Sequence, residues 1–101
     1  MKPASLSARA KADIQAALDF YVTEAPRGAE GFVAALEKAK AQIERQPGIG
    51  SPRYAHELDI PHLRHWRLGR FPYALFYLEQ EDQLFVIRVL HLSRDLPASL
   101  A

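Results

Sequence analysis

The chain is most constrained by two apolar phrases near its C-terminal end, Phe71-Pro72-Tyr73-Ala74-Leu75-Phe76-Tyr77 and Val86-Ile87-Arg88-Val89-Leu90-His91-Leu92-Ser93-Arg94-Asp95. Few charges interrupt either run, and the polar stretch Glu79-Gln80-Glu81-Asp82-Gln83 separates them. They read as neighbouring antiparallel strands joined by a polar turn. A third strand is predicted just before them, over Leu63-Arg64-His65-Trp66-Arg67-Leu68, with Gly69-Arg70 as the tight connection. Both faces of the last two strands are rich in apolar residues, so both must be covered.

The first half supplies one cover. Ser7 is a good N-cap, and a helix is predicted from about Ala8 to about Thr23, with Ile14, Ala17, Leu18 and Tyr21 on one stripe and Lys11, Asp13, Gln15 and Asp19 on other faces. Ala25-Pro26-Arg27-Gly28 is expected to end it. A second helix is predicted from about Ala29 to about Gln46, striped by Phe32, Leu36, Ala39 and Ile43 and stopped at Pro47-Gly48. Two amphipathic helices with a short link make an antiparallel hairpin, and its stripe must bury itself on the sheet. Lys2-Pro3-Ala4-Ser5-Leu6 is a candidate edge strand with Pro3 at its start. Residues 47–62, punctuated by proline and glycine, read as a loop. The fold class expected is therefore α+β, a helical hairpin on a small twisted antiparallel sheet, in one domain spanning 1–101. The second sheet face, assigned some of Tyr73, Leu75, Tyr77, Phe85, Ile87 and Val89, needs the C-terminal tail or another chain.

Composition narrows the function. The net charge of +1 gives the molecule no global field for polyanions. Cysteine is absent, which excludes disulfides and thiolate metal sites and is compatible with the cytoplasm. No apolar stretch approaches the roughly 20 residues of a membrane helix, and no signal peptide is evident at Met1-Lys2-Pro3-Ala4-Ser5. Charge is nevertheless uneven. Arg53, Arg64, Arg67 and Arg70, with His56, His62 and His65, face only Glu57 and Asp59. This segment is either a solvated surface or a face for an anionic partner.

Several residues bear on chemistry or contact. Trp66, between Arg64 and Arg67, suits an interface or core anchor. Arg88, between Ile87 and Val89, must be paired if it points inward. His91 and Arg94-Asp95 form the sharpest local cluster, either an acid/base with a phosphate clamp or a hydrogen-bonded strand end. A Ser93–His91–Asp95 triad is rejected, because three residues packed in one strand do not reach each other. His62 and His65 lack acidic or cysteine co-ligands at matching spacing, so no metal site is expected, and no cofactor.

In this order and spacing, the chain resembles the RelE/ParE superfamily of toxins from bacterial type II toxin–antitoxin systems, and ParE more than RelE. The resemblance rests on Leu6-Ser7 with Ala10, Asp13-Ile14 and Tyr21; on Phe32 and Leu36; on Pro47, Gly50 and Arg53; on Leu63-Arg64 and Phe71-Pro72-Tyr73 through Phe76-Tyr77; and on Val89-Leu90-His91 with Arg94-Asp95. It implies a cytoplasmic toxin in a hetero-oligomer with a ParD-like antitoxin, whose C-terminal segment wraps it as a strand or an amphipathic helix. RelE-like members cut messages on the ribosome. They commonly carry an arginine before a Leu-Val-Tyr-like run, where this chain has Ala74 before Leu75-Phe76-Tyr77. The basic position near the end of the last strand falls at Leu92, and no tyrosine follows Arg94. The resemblance thus implies a ParE-like inhibitor of DNA gyrase that works by protein contact, without catalysis and without sequence-specific nucleic-acid binding of its own. The alternative is a RelE-like ribosome-dependent endoribonuclease. The expected contact residues are Arg64, Trp66, Arg67, Tyr73, Arg88, His91 and Arg94.

Overall fold

The computed structural model describes residues 1–100. In order these form β1 (Ala4–Leu6), α1 (Ala8–Glu24), α2 (Pro26–Arg45), a 3-10 turn (Pro47–Ile49), α3 (Arg53–Glu57), β2 (Arg64–Arg67), β3 (Tyr73–Glu79), β4 (Leu84–His91) and α4 (Leu96–Leu100). The strands make one sheet in the order β1-β4-β3-β2. The three-strand antiparallel meander is present as expected, and β1 joins β4 in parallel. Pro3 stands just outside β1, and its carbonyl accepts from Leu84 N–H.

Ser7 caps α1 as predicted, its Oγ accepting from Ala10 N–H at 2.9 Å. The hairpin link is shorter than the sequence reading. Ala25 alone separates the helices, and Pro26 opens α2 instead of ending α1. Proline lacks an N–H that the first helical turn cannot use, so it is favoured there. Gly28 then allows the close approach of Tyr21, whose ring would lie 3.0 Å from an added Cβ.

Between hairpin and sheet lies the main core: Phe32, Leu36, Ala39 and Ile43 of α2 against Leu75, Tyr77, Leu84, Val86 and Val89. Of the six candidates for the opposite side, Tyr73, Leu75, Tyr77 and Val89 instead face the helices, while Ile87 lies on that side. A bulge explains part of the discrepancy. Tyr77 pairs with Val86 and Phe76 with Arg88, so Ile87 is an extra residue in β4. Beyond it the inward set moves from Leu84 and Val86 to Val89.

The opposite face carries a second core, with Leu63, Ala74, Phe76, Leu90 and Leu96 at its centre and Tyr54, Ile60, Ile87 and Leu100 around it. The 47–62 segment is thus not all loop. Its helix α3 and the C-terminal α4 close the second sheet face, so the C-terminal tail, one of the two covers expected, supplies part of it. Exposed apolar side chains lie instead on the hairpin, where Phe20, Val22 and Val33 are 55%, 61% and 42% accessible.

One buried hydroxyl locks the turn after α2. Tyr77 Oη accepts from Gly50 N–H at 3.0 Å and donates to the Pro47 carbonyl at 2.7 Å. Burial is the main cause raising its pKa above the usual phenol value. Tyr77→Phe strands both backbone groups, and is expected to cost about 1–3 kcal/mol, read as a lower urea midpoint with an unchanged slope. An unchanged midpoint would show that water replaces the hydroxyl.

Candidate partner-binding surfaces

The seven residues singled out from the sequence divide between two ends of the sheet. Tyr73, Arg88, His91 and Arg94 meet in a cavity of about 350 Å³, walled on the other side by Asp13, Ala16, Ala17 and Phe20 of α1. Arg64, Trp66 and Arg67 lie on the edge strand β2.

In the first group Arg88 is fully engaged. Its Nε and Nη2 donate to Asp13 Oδ2 and Oδ1 at 2.7 and 2.9 Å, and its Nη1 donates to the Ser99 carbonyl. The two side chains are only 11% and 10% accessible. The hydrogen bond to Asp13 is the largest influence holding the guanidinium above its ordinary pKa, and it outweighs desolvation. Asp13 Oδ2 also accepts from Val89 N–H at 3.0 Å. The carboxylate therefore satisfies a strand amide and neutralises a buried cation at once. The requirement that an inward Arg88 be paired was legible in the sequence; Asp13, placed off the α1 stripe, was not identified as its partner.

His91 ends β4, with its ring edge-on to Tyr73 at 5.0 Å between centroids. Its Nδ1 accepts from Ser93 N–H at 3.1 Å and lies 2.7 Å from Ser93 Oγ. An acceptor Nδ1 puts the proton of the neutral ring on Nε2. The sequence argument that strand geometry keeps Ser93 from His91 is thereby corrected. The strand stops at His91, and the turn folds Ser93 back. Asp95 takes no part; its Oδ1 accepts from Ala98 N–H at 3.4 Å in the first turn of α4. Arg94 is exposed at the rim.

On β2, Arg64 donates to the Gly50 and Gly48 carbonyls at 2.7 and 3.3 Å and so braces the turn after α2. Trp66 packs its ring against the main core while Nε1 donates to Gln42 Oε1 at 2.9 Å. Exposed Arg67 bends back to the Gly69 carbonyl at 3.2 Å. Trp66 and Arg67 line a second cavity of about 450 Å³ with Ala35, Lys38, Gln42 and Gly69. The histidines of this region do not converge. His56 is exposed on α3, and His62 occupies a turn at φ +68°. His65 stacks on Phe76 at 5.5 Å, and burial lowers its pKa.

Comparison with known proteins fits this architecture. A family model described as the ParE toxin of the type II toxin–antitoxin system parDE matches residues 4–96. No curated protein sequence matches. A solved structure titled "Chromosomal ParDE TA system from P. aeruginosa" superposes with a TM-score of 0.74 at 21% identity, covering 91% of this chain and 97% of that one. That likeness is one of fold, and the family match extends from β1 to the first residue of α4. The chain belongs to the ParE toxin family of type II toxin–antitoxin systems.

Proposed function

We propose that the chain acts as a single cytoplasmic toxin domain that inhibits DNA gyrase by protein contact and is held inactive by a ParD-like antitoxin. Family membership supports the toxin role. The observation that carries the binding mechanism is the engagement of Arg88. Cutting RNA through its 2′-hydroxyl needs a base, an acid and free cations on the phosphorane. Arg88, the strand arginine that lines the same cavity as His91, is bound on three sides by Asp13 and Ser99. Ala74, at the position where ribosome-dependent relatives commonly carry arginine, is buried in the second core. Arg64 and Arg88 are assigned to holding the fold. Trp66, Arg67, Tyr73, His91 and Arg94 remain the contact residues of this reading, beside the exposed apolar side chains of the hairpin. Among the described residues no helix is long and apolar enough to cross a membrane.

Expression of the lone chain is expected to stop growth. In vitro, the purified chain is expected to abolish gyrase supercoiling and to accumulate cleaved DNA. Unimpaired supercoiling, together with messages cut in the ribosomal A site, rejects this reading in favour of RNA cleavage.

A further inference from the structure

The edges of the sheet restrict how any partner docks. On the outer side of β1, Ala4 N–H donates to Glu44 Oε2 at 2.7 Å and Lys2 N–H to the Glu44 carbonyl at 3.4 Å. Past the end of β1, the side of β4 is completed by Ser7, which donates to the Val86 and Ile87 carbonyls, and by Asp13 at Val89. On β2, His65 exchanges both backbone bonds with Ser51, at 2.9 and 3.0 Å. Since outward-facing residues alternate along a strand, this leaves Arg67 alone on the open side of β2. An added strand finds no run of free amides and carbonyls.

Beside that edge the surface is shaped for something else. The Trp66–Arg67 cavity continues, through shared Lys38 and Gln42, into one of about 340 Å³ that reaches Arg45 and Ile49. Among the described residues no carboxylate lines either cavity. Lys38, Arg45 and Arg67 are exposed, and none belongs to an ion pair among the described residues. Ala35, Lys38, Gln42 and Arg45 follow one another at alternating spacings of three and four on α2, so they share one face of that helix. Lys38 and Arg45 are two turns apart, roughly 10 Å along the axis, which a partner helix matches with acidic residues seven apart.

We infer that this groove between α2 and β2 receives an acidic amphipathic helix of the antitoxin, with its carboxylates on Lys38, Arg45 and Arg67 and its apolar stripe against Ala35 and Trp66. The inference rests on the toxin reading above and adds the surface, the conformation and the charge of the bound segment.

Trp66 is the only tryptophan, so its emission reports on the groove directly. The probe is a synthetic helical peptide with a leucine stripe flanked by glutamates. Controls are the same peptide with lysine in place of glutamate, and oligothymidylate. The glutamate peptide is expected to shift Trp66 emission saturably and to weaken with added salt. Combined Lys38→Glu and Arg45→Glu is expected to weaken it about tenfold or more, as is Arg67→Glu on its own, with thermal unfolding unchanged in both variants. No emission response, equal binding by the charge-reversed chains, or equal binding of oligothymidylate overturns the inference. Loss of gyrase inhibition in the combined Lys38→Glu and Arg45→Glu chain gives the groove to gyrase and overturns it as well. Growth arrest by the lone chain without a peptide response rejects the groove alone; a peptide response without growth arrest rejects the toxin reading alone.

Discussion

Asp13→Ala is expected to be the most damaging substitution of a charged residue in this chain. It removes the only carboxylate bonded to Arg88 among the described residues, and the acceptor of Val89 N–H. Breaking one side of a buried pair leaves an uncompensated charge, at a cost of about 3–5 kcal/mol. A stranded strand amide adds to that. For a domain of this size each kcal/mol lowers the melting temperature by about 4–8 °C, so the drop read by circular dichroism is on the order of 20 °C. The combined Asp13→Leu and Arg88→Met chain is expected to regain most of the loss, since both charges leave together. A melting temperature within about 5 °C of the parent for Asp13→Ala would show that the guanidinium reaches water without cost.

The location of this pair gives it wider consequences. Asp13 belongs to α1, Arg88 to β4 and Ser99 to α4. One guanidinium therefore ties the helix that covers one face of the sheet to the helix that closes the other. It passes around the side of β4 where β1 has ended. Loosening α1 at Asp13 also loosens a wall of the cavity holding Tyr73, His91 and Arg94. Stability and the shape of that surface are coupled through a single ion pair.

What the sequence disclosed follows from the range of the physics involved. The stripes Ile14-Ala17-Leu18-Tyr21 and Phe32-Leu36-Ala39-Ile43 and the three antiparallel strands arise from local periodicity, and they stand in the structure as read. Pro26 was misread because proline both ends helices and begins them, and only the backbone around Ala25 decides between the two. Helix α3 is five residues long between proline and a left-handed Asp59, too short for any periodicity. The extra residue Ile87 has no composition signal, yet it reverses which side of β4 faces the helices from there on. At the candidate site, the isolation of Arg88 among apolar neighbours announced a buried charge. Its partner lies 75 positions away, so no spacing rule finds it. Lys38 and Gln42 lie on the polar side of α2, off its Phe32-Leu36-Ala39-Ile43 stripe. That the polar side lines a groove beside Trp66 depends on how α2 lies against β2, which is a property of the packed molecule.

Phe32→Ala is expected to match Asp13→Ala in size through packing alone. Phe32 is fully buried, and its ring meets Tyr21, Phe71 and Tyr73 at centroid distances of 5.5, 5.7 and 5.2 Å. Truncation forfeits the transfer energy of the ring and opens a void between α2 and β3, at about 3–5 kcal/mol. The loss reaches the candidate surface, because Tyr73 is held between Phe32 on one side and His91 on the other. The ring protons of His91 are thus expected to shift in the NMR spectrum of the variant although residue 32 does not touch them. Phe20→Ala is the control. Its side chain lies on the same cavity wall but is 55% exposed, and its cost is expected to stay within about 0.5 kcal/mol. Equal losses for the two substitutions would mean that the aromatic cluster contributes by bulk alone, and an unmoved His91 would show that Tyr73 keeps its place without Phe32.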